Sequence, residues 1–306
     1  MKPKNTLKIN SISEFHKISG FAKPEHPLVS LVDYGKVNYQ TVEDEISWVQ
    51  NFYSVGLKRN INGKFKYGQQ QYDFDEGIMS FVSPGQLVNL KIDRSETTKP
   101  TGMLLLIHPD FLWNTSLAKK IKQYDFFGYA INEALFMSEK EEKTIEGVMQ
   151  DIEREYHSNI DKHTQGIIVS QIELLFNYCE RSYQRQFITR KVTNHQVLDK
   201  LESILDSYFN SDELANKGLP TVQEIASQLN LSSNYLSNLL QSLTNQSTQQ
   251  HIHDKFIAKA KEILSTTQLS VSEVAYQMGF EYPQSFSKLF KSKTNLSPLE
   301  FRTSFN

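Results

Sequence analysis

Two textures of hydrophobic patterning divide the chain. Between residue 20 and about residue 115, the segments LVSLVDYGKVNY, SWVQNFYSVGL, GKFKYGQQQYDF and GIMSFVSPGQLVNL are dense in Val, Ile, Phe and Tyr. Turn-forming clusters separate them: INGK at 61–64, DEG at 75–77 and SPG at 83–85. Short strands at this spacing predict an antiparallel β sandwich or small barrel. The apolar run MLLLI at 103–107 reads as one buried strand.

The pattern becomes helical at Ser138. SEKEEKTIEGVMQDIEREYH opens with Ser138 and Glu141 three residues apart, the spacing of a capping box. A second helix, over about 162–185, carries Ile168, Ile172, Leu175, Phe176, Cys179 and Tyr183 at spacings of three and four. Such a stripe must be buried, either against its own domain or against a second copy of the chain. Beyond Lys191 everything reads helical, with Val197, Leu201, Ile204, Leu205 and Tyr208 on one face, and LANKGLPT breaks the chain before Thr221. The expected fold class is α+β in two domains. The first spans 1–190, β-rich to about 137 and helical over 138–190; the second spans 191–306 and is all-α.

The second domain contains a repeat. TVQEIASQLNLSSNYLSNLLQSLTNQS (221–247) and SVSEVAYQMGFEYPQSFSKLFKSKTNLS (270–297) align Glu224, Ala226 and Gln228 with Glu273, Ala275 and Gln277 at an offset of 49. After the turn the offset is 50, and Ser237, Leu239, Ser242, Thr244, Asn245 and Ser247 match Ser287, Leu289, Ser292, Thr294, Asn295 and Ser297. Thr221 with Glu224, and Ser270 with Glu273, cap the first helix of each copy. Ala226 and Ala275 are small enough for two helices to cross closely. Gly279 suits the left-handed position that ends a helix, and Asn230 is the next best residue there. Leu236, Leu239 and Leu240 in one copy, and Phe286, Leu289 and Phe290 in the other, anchor the second helix. Each copy is a helix–turn–helix, whose second helix can enter a major groove. Between them QQHIHDKFIAKAKEIL (249–264) aligns Ile252, Phe256, Ala260 and Ile263 on one face. Its length of about 24 Å suits a spacer between helices entering successive grooves about 34 Å apart.

These last hundred or so residues resemble the DNA-binding domain of AraC/XylS-type transcriptional regulators. The family's second motif is matched by Val274, Ala275, Gly279, Phe280, Phe286, Phe290 and Lys291, and its closing segment by Ser297, Pro298, Phe301 and Arg302. Asn245 and Asn295 replace a frequent glycine, and Phe256 stands where an arginine is common. The amino-terminal half resembles the family's cupin-like sensor domain through its strand texture and its position before a helical pair. The resemblance implies DNA-contacting residues Asn234, Ser237 and Asn238 on one recognition helix. On the other it implies Pro283, Gln284, Ser285, Ser287 and Lys288, with Lys291 toward phosphate. Asn and Gln can pair with adenine, Lys with guanine or phosphate, and Ser with either. It further implies double-stranded operator DNA as the partner, and an amino-terminal domain that binds a small-molecule effector, for which no binding residue can be named, or mediates formation of a homodimer.

Composition adjusts this picture in one respect. The 306 residues carry a net charge of −2, and the stretch from Asn194 onward has nine Lys plus Arg against eleven Asp plus Glu. A nucleic-acid-binding domain is ordinarily basic, so any DNA reading rests here on local geometry. A single cysteine, Cys179, excludes an internal disulfide and a cysteine zinc cluster. No apolar run suits a signal peptide or a membrane span, so a cytoplasmic location is expected. His16, His26 and His108 lack the close spacing of cupin metal ligands, and Asp73, Asp75 and Glu76 flank a turn. No catalytic residue, metal site or cofactor is therefore expected. The aromatic residues Trp48, Phe52, Tyr53, Tyr67, Tyr72, Phe74 and Phe81 can fill a sandwich core or line a ligand pocket. The alternatives to a DNA-binding regulator are an oligomerising interaction protein that has lost ligand and DNA binding, or a cupin enzyme.

Overall fold

The computed structural model describes residues 6–36, 45–59, 66–67, 70–71, 77–91, 101–129, 133–189 and 191–304. The chain divides into two compact units, Met1–Gln186 and Phe187–Asn306.

The first unit runs β1 (Leu7–Ile9), α1 (Ile12–Ser19), β2 (Val29–Asp33), β3 (Glu45–Gln50), β4 (Tyr53–Arg59), β5 (Lys66–Tyr67), β6 (Gln70–Gln71), β7 (Ile78–Val82), β8 (Leu87–Lys91), β9 (Thr101–Ile107), α2 (Leu117–Lys120), β10 (Leu135–Phe136) and α3 (Glu139–Tyr156), then enters α4 (Thr164–Thr189). A five-stranded antiparallel sheet has the order β10-β7-β4-β9-β2. A second sheet has the order β1-β3-β8, and β5 pairs with β6. Among the described residues no ladder joins these sheets into a closed barrel. The pairing of β1 with β3 is parallel, unlike the all-antiparallel expectation. A three-residue strand carries too little alternation to declare a partner. Here the backbone bond from Asn51 N–H to Ile9 O, 3.1 Å, closes the ladder.

The SPG turn also differs from a hairpin, because β7 and β8 on its two sides lie in different sheets. Gly85 takes φ 80° and donates its N–H to Gln50 O of β3 at 2.8 Å, so the turn carries the chain from one sheet to the other. The buried strand read at 103–107 is β9, with Leu104 to Ile107 inside the core. Phe52, Tyr53 and Phe81 are core residues, and half-buried Trp48 packs on the cluster of Ile9, Ile12 and Phe52. The INGK turn, Tyr72, Phe74, Asp73, Asp75, Glu76 and the side chain of Tyr67 lie outside the described residues.

Helix α3 opens with the capping box of Ser138 and Glu141 and buries Ile145, Val148, Met149 and Ile152. Its other carboxylates hold the sheet: Glu142 and Glu146 pair with Arg59 of β4, and Glu142 accepts the Gly77 N–H at 2.8 Å. On α4 the whole stripe from Ile168 to Tyr183 is buried within the single chain. Phe176 meets Tyr124, Phe126 and Phe127 edge-on at 5.2–5.9 Å, and Tyr183 stacks on Phe126. Of the two uses left open for that stripe, packing inside the chain is the one observed. Cys179 sits in the same stripe, fully buried, and desolvation pushes its thiol pKa far up.

The second unit contains α5 (Lys191–Phe209), α6 (Glu213–Lys217), α7 (Val222–Gln228), α8 (Ser233–Thr244), α9 (Thr248–Thr266), α10 (Val271–Gln277), α11 (Pro283–Thr294) and α12 (Pro298–Thr303). One apolar core draws on all of them, including Leu201, Leu214, Ile225, Leu236, Phe256, Val274, Phe286 and Phe301. The segment LANKGLPT is thus not simply a break. Its first part lies in α6, one turn long, which buries Leu214. A single turn is too short to show helical periodicity in sequence.

Candidate nucleic-acid interface

Each copy of the repeat starts with a reciprocal cap. Thr221 Oγ1 accepts the Glu224 N–H while the Glu224 carboxylate accepts the Thr221 N–H at 2.7 Å, and Ser270 and Glu273 do the same for α10. Ser297 and Glu300 repeat the device on α12. These bonds hold the carboxyls of Glu224, Glu273 and Glu300 below their usual pKa, since the ionised form accepts the N–H and hydroxyl groups of its own cap. A further capping box, Ser247 with Gln250, starts α9 and was legible at the same spacing.

The two turns share one geometry. Leu231 N–H donates to Ala226 O at 2.9 Å, and Phe280 N–H donates to Ala275 O at 3.0 Å. With Asn230 at φ 56° and Gly279 at φ 75°, both are Schellman turns that consume the last carbonyls of α7 and α10. Asn245 and Asn295, at φ 62° and 60°, end α8 and α11 in the same left-handed conformation. Asparagine therefore fills the places where glycine is frequent without altering the backbone path.

Helix α8 buries Tyr235, Leu236, Leu239 and Leu240 and turns Asn234 outward. Asn238 is half-buried. Ser237 is half-buried too, and its hydroxyl lies 3.1 Å from Thr248 Oγ1, a fully buried group on α9. On α11, Phe286 and Phe290 point into the core, while Gln284, Ser285, Lys288 and Lys291 are exposed and Pro283 and Ser287 half-buried. The outer line of α8 continues through exposed Gln241 and Ser242, and that of α11 through Ser292, residues that the family pattern does not single out. Only a three-dimensional helix face identifies them.

Charge is unevenly shared. Across α7 and α8 the single charged residue is Glu224, already engaged in its cap. Among the described residues Lys288, Lys291 and Lys293 of the second motif form no salt bridge, although Lys291 acts through space on Glu300. The cations of α9 are committed internally: Lys255 pairs with Asp206, Lys259 bonds Asn210 and Glu262, and Lys261 lies over the Phe301 ring. Phe256, at the position where an arginine is common, is fully buried, with Phe280 and Phe286 at 5.5 and 5.9 Å. At this position the connector makes an aromatic core contact. Arg302 Nε donates to Leu264 O at 3.1 Å and ties α12 to the end of α9.

The isolated histidines His16, His26 and His108 have structural partners. His16 bonds Ala22 O and Ser30 Oγ, and desolvation lowers its pKa. His26 accepts the Leu28 N–H at 3.1 Å, and His108 accepts the Asp110 N–H at 3.3 Å. Among the described residues no group of three or more His, Cys, Asp or Glu is placed to hold a metal ion. No helix among them is long and apolar enough to cross a membrane.

Residues 225–304 match the family model described as a helix-turn-helix domain. The chain is 35% identical over 129 residues to the arabinose operon regulatory protein of Escherichia coli K12, covering 42% of this chain and 44% of that one. It is 28% identical over 119 residues to histidine kinase P4 of Formosa agariphila, covering 39% of this chain and 8% of the kinase. The chain therefore spans less than half the length of either relative. A solved regulator with an AraC-type DNA-binding domain from Chromobacterium violaceum is 18% identical, with a TM-score of 0.32, over 37% of this chain and 96% of that one. Two capped helix pairs with the same Schellman turn, joined by one helix and matched by the helix-turn-helix family model and by the arabinose operon regulatory protein, make the carboxy-terminal region of this chain an AraC-type helix–turn–helix domain.

Proposed function

We propose that the protein is a sequence-specific DNA-binding transcription regulator. The observation that carries this reading is the pair of matched helix–turn–helix units on one shared core, each exposing polar side chains along its second helix. In this reading α8 presents Asn234 and Asn238 to base edges, and Ser237 sits at the inner margin of the interface, seating α8 on α9. Helix α11 presents Pro283, Gln284, Ser285, Ser287 and Lys288, with Lys291 on the phosphate backbone. Amides suit adenine, and lysine suits guanine or phosphate. The relative named for the arabinose operon supports the same role.

The first unit, cupin-like in this proposal, regulates the second through a small effector or through dimerisation, and the whole acts without catalysis. Support for association comes from the outward side of α4, where Ile167 and Leu174 are 42% and 45% exposed, two helical turns apart. The test is selection of bound duplexes from a random library by the full chain. A recovered bipartite motif with two halves about one helical turn apart is the expected result. Recovery of no motif, with the protein folded, overturns the reading.

A further inference from the structure

Helix α6 and the turn of the second helix–turn–helix meet backbone to backbone. A Cβ on Gly279 would stand 2.1 Å from Leu214 O and 2.6 Å from Gly218 Cα. Gly279 is therefore glycine for two reasons, its left-handed φ of 75° and this contact. Gly218 faces it with φ 76° and ψ −155°, a region that is essentially glycine's alone. A Cβ there would stand 3.3 Å from Gly279 O. Two bonds hold Gly218 in place: its N–H donates to Leu214 O at 3.0 Å, and its carbonyl accepts the Tyr208 hydroxyl at 2.9 Å.

The location gives the contact its meaning. Gly218 lies just before Thr221, the cap of α7, and Gly279 lies just before Pro283, the first residue of α11. Covalently, only α9 joins the two motifs. A single connecting helix leaves their mutual angle to side-chain packing at its two ends, and side chains can adapt by changing rotamer. Backbone pressed on backbone has no rotamers to change. The glycine contact closes a second path between the motifs, from the residues leading into α7 to those leading into α11.

We propose that the Gly218–Gly279 contact sets the angle between α8 and α11, so that Gly218, Gly279 and Tyr208 are positioning residues for binding two half-sites at a fixed spacing. The inference rests on the DNA-binding reading above, but the contact can be tested without DNA. Nitroxide labels on Gln241→Cys and Ser292→Cys, both exposed positions, report the α8–α11 distance by pulsed electron resonance in the full chain. A single narrow distance is expected with the native contact, and a broadened one in Gly218→Ala and in Tyr208→Phe. Tyr208→Phe removes one hydroxyl and leaves the packing in place, so it remains informative if Gly218→Ala does not fold. The second readout uses the site that the native chain selects from a random library, whole and with one base pair inserted between its halves. The insertion shifts one half by about 3.4 Å along the duplex. It should cost the native chain about tenfold in affinity, comparable to a mismatched pair, and each variant about twofold. Unchanged distances and an unchanged spacing penalty in both variants would show that α9 alone sets the angle, and overturn the proposal. If the native chain selects no site, the DNA-binding reading fails, while the label distances still decide the role of the contact.

Discussion

In the proposed interface, Asn234 and Lys291 stand for two kinds of contact that an exposed helix face can make with DNA. A neutral amide can read a base edge but releases no counterion, whereas a lysine on phosphate releases about one. From Thr221 to Ser247 the only charge is Glu224, so the first motif offers no side-chain cation. From Ser270 to Arg302 there are Lys288, Lys291, Lys293 and Arg302 against Glu273, Glu281 and Glu300. The structure narrows this set, because half-buried Arg302 is turned toward Leu264 O. Three lysines remain, and a shallow salt dependence dominated by the second motif follows. Lys291→Ala should weaken binding to all sequences alike and flatten the slope of log affinity against log salt by roughly one unit. Asn234→Ala should leave the slope unchanged and relax preference in one half-site, at a cost of about 1–3 kcal/mol. Affinity against salt for the native chain and both variants on one selected site measures both. A flattened slope for Asn234→Ala, or none for Lys291→Ala, would contradict this division of labour.

The helices owe their beginnings to rules that act within four residues, which is why sequence alone exposes them. Ser138, Thr221, Ser270 and Ser297 each face a Glu three positions on, and each pair forms the reciprocal cap. A pH dependence follows for the second unit. The folded pKa values of Glu224, Glu273 and Glu300 lie below their unfolded ones. Their stabilisation is therefore complete above the unfolded value, about 4.3, and is lost as pH falls through the folded value. Replacing all three by Gln should flatten the acid limb of a urea-midpoint profile below about pH 5, since Gln caps without titrating, as Gln250 does on α9. An unaltered acid limb would place the acid sensitivity elsewhere. Helix α4 shows where a local rule stops. Its period reveals that Ile168, Ile172 and Leu175 must be buried, but not against what, because the pattern is the same for a core and for a dimer. Ile172 has no exposed surface in the single chain. Ile172→Asp should therefore unfold the first unit, seen as lost strand signal in circular dichroism. Leu174→Asp, on the outward side, should leave the fold intact and reduce self-association in sedimentation. A folded monomer from Ile172→Asp would return the interface to the buried stripe.

At the scale of the molecule, contacts between distant segments decide what periodicity leaves open. The parallel pairing of β1 with β3, the crossing of the SPG turn between sheets, and the seat of Gly279 on Gly218 all join residues with no shared local signal. The point where the second unit begins is another such case. Patterning puts the change of texture near Lys191 and makes a fragment from about Asn194 a natural choice. The second compact unit starts at Phe187. The Phe187 ring lies 5.2 Å from that of Tyr235, which is 1% exposed, and Phe187 itself is 5% exposed. Its carbonyl also accepts Asn194 Nδ2 at 2.5 Å. A fragment starting at Asn194 would uncover one side of Tyr235, the largest fully buried side chain of α8, and leave the buried Asn194 amide without that acceptor. Losing a buried aromatic contact costs about 3–5 kcal/mol. The fragment Phe187–Asn306 should therefore fold alone and select the same DNA motif as the full chain, while Asn194–Asn306 should unfold at a clearly lower urea concentration. The comparison needs two urea titrations and one library selection. Equal midpoints would remove Phe187 from the core of the helix–turn–helix domain. A helical Phe187–Asn306 fragment that selects no motif, where the full chain does, would show that the first unit takes part in recognition itself, through dimerisation or direct contact.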